Sequence, residues 1–386
     1  MNFNNVLPIE SLYIHWPFCP YKCHFCPFVA LASHDHFMER YHDVLCREIE
    51  KFSDEHAIKN TINTIFLGGG TPSTYPVPLL LDLFDRLNKE FIVSPQAEIS
   101  MEVNPGTVTL EKLQAWKQCG VNRLSIGVQS LKDDVLKKLN RHQSLADVEQ
   151  LLDMASPLFS RISIDMILGL PDVSADEWKN MLSCVVAWPI QHISIYFLTI
   201  HEDTPLYFKV HQNHVSLPSD EAVVELYMWT INYLQDSGFY QYEVSNFARP
   251  GHESIHNQQY WNYKPYKGFG LGACSFDGTS RFQNQKNLMN YCQSIEQGND
   301  ITLFYETLTN KQRTLEKLML GLRQKRGVCI NSLFEEFTVD QQNKCSDALA
   351  VLYDMSLLRY IDGYAQLTMA GLAVENEVIL RLSMVL

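Results

Sequence analysis

No stretch of this chain is an apolar run long enough to span a bilayer, and the opening residues, MNFNNVLPIESLYIHWPF, carry no export signal. They lack the basic start, the apolar block and the small-residue cleavage site that such a signal needs. Membrane-spanning and secreted classes are set aside and a cytoplasmic location is expected; peripheral membrane contact would leave no trace of this kind. Positive charge is also scarce, with 31 Lys and Arg against 44 Asp and Glu, a formal net charge of −13. Binding a phosphate backbone takes a basic footprint, so no nucleic-acid partner is expected. With 46% hydrophobic and 19% charged residues, the balance is that of a folded globular chain. Its 386 residues suffice for one barrel-sized domain with a smaller one attached, or for two medium domains.

Ten cysteines in a chain without an export signal point to metal binding or chemistry rather than disulfides. Three are clustered. The other seven, from Cys46 to Cys345, are scattered among apolar neighbours and read as buried small hydrophobes.

From residue 12 to about 200, β-rich runs alternate with segments of helical period: LYIHWPF, TINTIFLGGG, EISMEVNP, VNRLSIGVQS, RISIDMILGLP and HISIYFLTI. Such alternation predicts an α/β fold, a parallel sheet with crossover helices closing into a partial (β/α)6 barrel. Nearly every strand ends in polar or glycine residues: Cys19 onward, Gly68 to Thr71, Glu102 with Asn104, Gln129, and Asp165 followed by Gly169. Strand C-termini of parallel α/β folds converge on one face, so these residues should meet in one site. We divide the chain into a barrel over 1–240, an aromatic-rich cap or extension over 241–302, and a mostly helical, winged-helix-like domain over 303–386. In the last, three helices are followed by a hairpin around Ile361-Asp362-Gly363-Tyr364 and a final helix ending near Leu386. Its balanced charge favours a packing or protein-contact role over DNA binding.

Cys19, Cys23 and Cys26 form C-x3-C-x2-C directly after the first strand. Three soft thiolates suit an iron–sulfur cluster or zinc. Zinc would need a fourth ligand, for which His15, His24, His34 and His36 are at hand. Three cysteines on a four-iron cluster instead leave one iron open, the arrangement that lets a radical S-adenosylmethionine (SAM) protein chelate SAM. An electron from such a cluster cleaves the sulfonium to methionine and a 5′-deoxyadenosyl radical. Phe25 would pack near the adenine or shield the cluster.

The stretches YIHWPFCPYKCHFC, LGGGTPS, EVNPGT, NRLSIGVQS, DMILGLP and YEVSNFA resemble the radical SAM family of oxygen-independent coproporphyrinogen III oxidases, over almost the whole chain. The resemblance implies a 4Fe-4S cluster on Cys19, Cys23 and Cys26. It implies SAM contacts from Tyr13, Phe25, Gly69, Gly70, Thr71, Glu102, Gln129, Arg141 and Asp165. Gly69, Gly70 and Thr71 are expected at the amino group and methionine part, Arg141 at the carboxylate and Asp165 at the ribose hydroxyls, with Glu102 and Gln129 fixing polar parts of the ligand.

That family contains true oxidases and relatives of the HemW type, which are haem chaperones. Three features resemble the chaperone branch: about a dozen residues before the first strand, Pro27-Phe28 in place of a further cysteine two residues after the third ligand, and His256 to Trp261, HNQQYW, which is similar to an H-N-x-x-Y-W element. The last implies a haem site, with His256 as iron ligand and Tyr260 and Trp261 as flat apolar surface. The alternative for this segment is that it only braces the aromatic cap. Pro27 is a departure, since relatives usually carry an acidic or polar residue there; a proline removes a backbone N–H beside the cluster. Three functions follow as expectations. The first is haem binding and transfer to haem-requiring proteins, with a homodimer through the cap as one form. The second is radical decarboxylation of coproporphyrinogen III, and the third is a zinc-bound interaction module.

Overall fold

The computed structural model describes residues 8–56, 61–335 and 337–384. The extreme N-terminal residues 1–7 and the predicted helix end at Leu386 lie outside the described residues.

Six parallel strands run in chain order: β1 (Ser11–Trp16), β2 (Thr61–Gly69), β3 (Ile92–Val103), β4 (Arg123–Gln129), β5 (Ile162–Leu168) and β6 (His192–Phe197). Between them lie α1 (Met38–His56), α2 (Val77–Glu90), α3 (Leu110–Gln118), α4 (Asp133–Lys138), α5 (Leu145–Ala155) and α6 (Ala175–Val185). All six strands match runs predicted from the sequence. Two helices start on full capping boxes, Ser144 with Asp147 and Ser174 with Glu177, which satisfy first-turn N–H groups that have no intrahelical partner.

After α7 (Pro205–His211) and α8 (Asp220–Asp236) come β7 (Tyr240–Gln241), β8 (Asn246–Ala248), α9 (Ile255–Trp261) and β9 (Lys267–Phe269). The sheet order is β9-β1-β2-β3-β4-β5-β6-β8-β7, with β9 and β7 at opposite, unpaired ends, so the barrel is partial. The aromatic stretch thus extends the sheet at both ends. It is fastened to α1 by buried Glu48, which accepts from Gly270 N at 2.8 Å, Asn284 Nδ2 at 2.9 Å, Tyr291 Oη at 2.6 Å and Lys267 Nζ at 3.4 Å.

Alternation within the strands sorts two layers. Leu12, Ile14 and Trp16, and likewise Leu124, Ile126 and Val128, join the hydrophobic core between sheet and helices. Each fully buried aliphatic side chain there contributes about 1.5–3 kcal/mol. The other face is largely polar: His15, Glu102, Ser125, Asp165 and Ser194 point into the barrel, where Ser125 Oγ donates to both Asp165 oxygens at 3.0 and 3.2 Å.

The C-terminal part has its own core, with Leu318, Leu322, Leu349, Leu352, Val378 and Leu382. Helices Asn310–Arg323, Ile330–Phe334 and Val339–Asp354 precede the hairpin Leu358–Ile361 and Tyr364–Leu367, and helix Glu375–Ser383 follows. Asp362 and Gly363 turn the hairpin with φ of 50° and 88°, the pair of positive values that a two-residue hairpin turn takes. The helical pattern begins at Asn310 rather than near 303. Thr302–Thr307 is the edge strand of a three-stranded antiparallel sheet with Cys274–Phe276 and Ser280–Asn284, in keeping with its bulky Leu303, Phe304 and Tyr305.

Candidate cluster and cofactor site

The three cysteines sit on a loop laid over the C-terminal mouth of the barrel. Its two ends pair as a short parallel ribbon, Phe18–Cys19 with Leu31–Ala32, and Leu31 N donates to Pro17 O at 2.7 Å. Its middle is tied to the far side: His24 N donates to Leu139 O at 2.9 Å, Leu206 N to His24 O at 3.0 Å, and Asn140 Nδ2 to Lys22 O at 2.9 Å. Gly70 is what lets the β2 turn approach this loop, because a Cβ there would lie 2.5 Å from Pro17 O.

Cys19, Cys23 and Cys26 all line a cavity of about 400 Å³. Thr71 Oγ1 donates to Cys19 Sγ at 3.2 Å, and Arg141 Nη1 to Cys23 Sγ at 3.6 Å. Burial pushes the Cys19 thiol up to about 11 and raises that of Cys26, so ionising them calls for a cation within the loop. The three sulfurs are not drawn within 4.8 Å of one another, whereas the edge of a zinc–thiolate tetrahedron is about 3.8 Å. The histidines considered as a fourth zinc ligand stay off the cavity wall. Both nitrogens of His15 are engaged, Nδ1 with Tyr13 Oη at 3.0 Å and Nε2 with Val29 O at 2.9 Å. His24 Nδ1 contacts Lys138 O and Lys209 Nζ, each at 3.1 Å, and His34 Nδ1 contacts Ala32 O at 2.6 Å. Three thiolates set wider than a zinc tetrahedron, with the nearby histidines His15, His24 and His34 engaged elsewhere, fit a cluster with an open iron better than zinc.

Gly69, Gly70, Thr71, Glu102, Gln129, Arg141, Asp165 and Phe25 line the same cavity. Glu102 Oε2 accepts from Gly69 N at 3.0 Å. Burial, with a smaller push from Asp165, raises its carboxyl to about 8: the site holds an acid that lacks a cationic partner. Nearby, Asn104 Nδ2 donates to Tyr21 Oη at 2.7 Å while its buried Oδ1 has no hydrogen-bond partner. A buried carboxyl without a cationic partner and an unsatisfied amide oxygen suit a ligand bearing N–H donors, as the amino group of SAM does.

Gln129 ends β4 with φ of 69°, next to a register shift against β5. A non-glycine residue in the left-handed region costs on the order of 1 kcal/mol and persists where the surroundings enforce it. Here the enforcing groups are Arg141 and Gln143, whose side chains donate to Gly127 O at 2.5 and 3.1 Å. Burial raises the Asp165 carboxyl, against which Ser194, Arg123, Ser125 and Ser163 act.

Comparison with known proteins agrees with this geometry. Residues 13–185 match the model of the Radical SAM superfamily and residues 308–374 that of the HemN C-terminal domain. The chain is 34% identical over 377 residues to the Heme chaperone HemW of Synechocystis sp., covering 95% of this chain and 89% of that one. The chain belongs to the HemW family. The Bacillus subtilis Heme chaperone HemW is 32% identical over 375 residues, covering 96% and 98% of the two chains. Coproporphyrinogen III oxidase (HemN) from Escherichia coli, a radical SAM enzyme, superposes with a TM-score of 0.85 over 100% of this chain and 92% of that one, at 24% identity, and so shares the fold. The superfamily implies a 4Fe-4S cluster and SAM, for which the cavity has the donor set.

In this HemW-family chain two of the expected contacts lie away from the cavity wall. Tyr13 does not reach the cavity wall: it lies one layer deeper than Glu102, with its ring stacked on Phe66. The H-N-x-x-Y-W segment is not at the mouth either. It forms α9, whose N-terminus is held by Glu98 through bonds from Ser254 Oγ, Ile255 N and His256 N at 3.2, 3.0 and 2.9 Å. His256 is 0% exposed, with Nδ1 on Thr64 Oγ1 and Nε2 on Tyr260 Oη, both at 2.8 Å. With both nitrogens engaged and no exposure, His256 is not open to haem iron in this arrangement. It braces the interior, with Tyr260 as its partner, while the Trp261 carbonyl accepts from Gln324 Nε2 at 2.9 Å.

Ser125, Tyr196 and His201 also line the cavity and were not singled out from the sequence. Period-two alternation along RLSIGVQ, ISIDMIL and HISIYF could have found the inward positions of β4 to β6. Among the described residues no helix is long and apolar enough to cross a membrane.

Proposed function

We propose that this chain is a cytoplasmic haem chaperone, which binds haem and hands it to haem-requiring proteins. Its near full-length likeness to proteins named Heme chaperone HemW carries the reading. The mouth of the cavity supports it: Phe28, Tyr196 and Phe197 are 65, 42 and 36% exposed there, flat surface suited to a macrocycle, and His201 lines the wall beside them. A 4Fe-4S cluster on Cys19, Cys23 and Cys26 would supply one-electron reduction of a chelated SAM sulfonium. Around it, Glu102 and Asn104 would accept from the N–H groups of the SAM amino group, Arg141 would pair with its carboxylate, Asp165 and its serines would hold the ribose side, and Phe25 would shield the adenine. The division at residues 240 and 302, a homodimer through the aromatic segment and peripheral membrane contact belong to the same reading.

The decisive experiment incubates the reconstituted, reduced protein anaerobically with SAM and coproporphyrinogen III, beside a control oxidase, and follows tetrapyrroles by mass. No decarboxylation, together with stoichiometric haem binding and transfer to an apo-haemoprotein, is the expected result. Protoporphyrinogen formed over many turnovers would replace the chaperone by an oxidase.

A further inference from the structure

In the helical layer outside the sheet, α1 and α2 bring together three side chains of metal-ligating type that the cavity does not use. His42 and Cys46 stand one turn apart on α1, and Asp82 meets them from α2. His42 Nε2 lies 2.9 Å from Asp82 Oδ2 and 3.7 Å from Cys46 Sγ; the sulfur lies 4.0 Å from the same carboxylate oxygen. Among the described residues this is the one trio of histidine, cysteine and carboxylate ligand atoms gathered within 4.8 Å. A tetrahedral zinc ion with nitrogen, oxygen and sulfur ligands at about 2.0–2.3 Å has ligand–ligand edges of about 3.4–3.6 Å, so each side of the triangle is within roughly 0.5 Å of fitting.

The surroundings resemble the support that a metal site needs. Tyr75 Oη lies 2.8 Å from His42 Nδ1, which orients the ring and leaves Nε2 to ligate. Arg86 Nε donates at 2.7 Å to the same Asp82 Oδ2 that His42 meets, and its Nη1 to Glu50 Oε1 at 2.5 Å, so the carboxylate is fixed and the arginine's charge is shared with Glu50. A divalent ion would then meet one thiolate and one carboxylate, a neutral set. His42 and Cys46 are buried whereas the Asp82 side chain is 44% exposed, which leaves an entry path and a fourth position open to water. An ordinary His–Asp ion pair would explain two of the three groups but not a buried thiol turned toward both.

We propose that His42, Cys46 and Asp82 form a second metal site, for a zinc-class divalent ion, separate from the cysteine loop. The ion would clasp α1 to α2 behind the strand that leads to the loop: Tyr75 stacks on Trp16 at 3.6 Å between centroids, and Trp16 packs on Phe18, next to Cys19, at 4.7 Å. The test uses the full-length chain with its cluster reconstituted, then equilibrated with zinc and desalted. Zinc and iron are counted separately by mass spectrometry, zinc affinity is read by chelator competition, and X-ray absorption at the zinc edge reports the ligands. One zinc per chain with a single sulfur neighbour is expected, with affinity lowered at least tenfold in both Cys46→Ser and Asp82→Asn and iron content unchanged. Asp82→Asn keeps shape at a half-exposed position, so it serves if Cys46→Ser fails to fold. No retained zinc, zinc held by three sulfurs at the expense of iron, or equal affinity in the variants would overturn the assignment.

Discussion

Replacing Glu102 by glutamine should make the ligand-free protein more stable and its SAM binding weaker, and both effects follow from one carboxyl. Its value of about 8 in the fold, against 4.5 for the ordinary side chain, means that the folded state keeps a proton the unfolded chain gives up across that window. Stability is therefore full below about pH 4.5 and is lost as pH rises toward 8, by at most about 5 kcal/mol. Water in the cavity that Glu102 lines lowers this to roughly 2–3 kcal/mol. Glutamine cannot ionise and removes the penalty. Urea unfolding of ligand-free wild type and Glu102→Gln should give similar stabilities at pH 5, with the variant ahead by about 2–3 kcal/mol at pH 8. SAM titrations should show the reverse. Wild-type affinity should fall close to tenfold per unit of pH below 8, as Glu102 must give up its proton before it can accept from the SAM amino group. The variant should lose that slope and bind roughly 10- to 100-fold more weakly at pH 8, the loss of a hydrogen bond to a charged group. A stability difference that is constant from pH 5 to 8, or a SAM affinity without pH dependence in wild type, would refute the reasoning.

Two further substitutions probe the architecture. Gly70→Ala sets a methyl group against the backbone of Pro17, 2.5 Å from its oxygen, so the cysteine loop must shift; iron per chain after reconstitution should fall by more than half, and full iron content would show that the loop yields freely. His256→Ala leaves Thr64 and Tyr260 without their partner in a closed interior, which should cost about 2–4 kcal/mol in urea unfolding while haem affinity stays within twofold. A large loss of haem binding in a folded His256→Ala protein would restore it as a ligand.

Much of the fold was legible because the barrel strands are long. Six to twelve residues of β-rich sequence between helical segments leave little ambiguity, and the C-x3-C-x2-C loop and LGGGTPS follow such strands directly. The strands of the aromatic stretch that extend the barrel sheet have only two or three residues, too few to display any period, so their place at the two sheet ends emerges only from the fold. Tyr13 shows another limit: alternation correctly turns it inward, but its depth depends on strand register, which sets Tyr13 beside Phe66 and Glu102 a layer higher. For His256 the sequence left two readings open, because a histidine among aromatics reads alike as ligand or as brace. What separates the two is whether its nitrogens are occupied, and that depends on Thr64, nearly two hundred residues away. The His42, Cys46 and Asp82 group was hidden for the same reason, since packing of α1 on α2 creates it.

The anchoring of the cysteine loop bears on how the protein is made. Cys19, Cys23 and Cys26 leave the ribosome early, yet the backbone bonds that hold His24 in place come from Leu139 and Leu206. Until the chain has grown past residue 206 and the barrel has closed beneath it, the three thiols have a sequence but no shape. A cluster on these thiols would then be inserted late, on a nearly finished fold, and a nascent or truncated chain ending within the first five strands would present the cysteines without the loop geometry that holds them together.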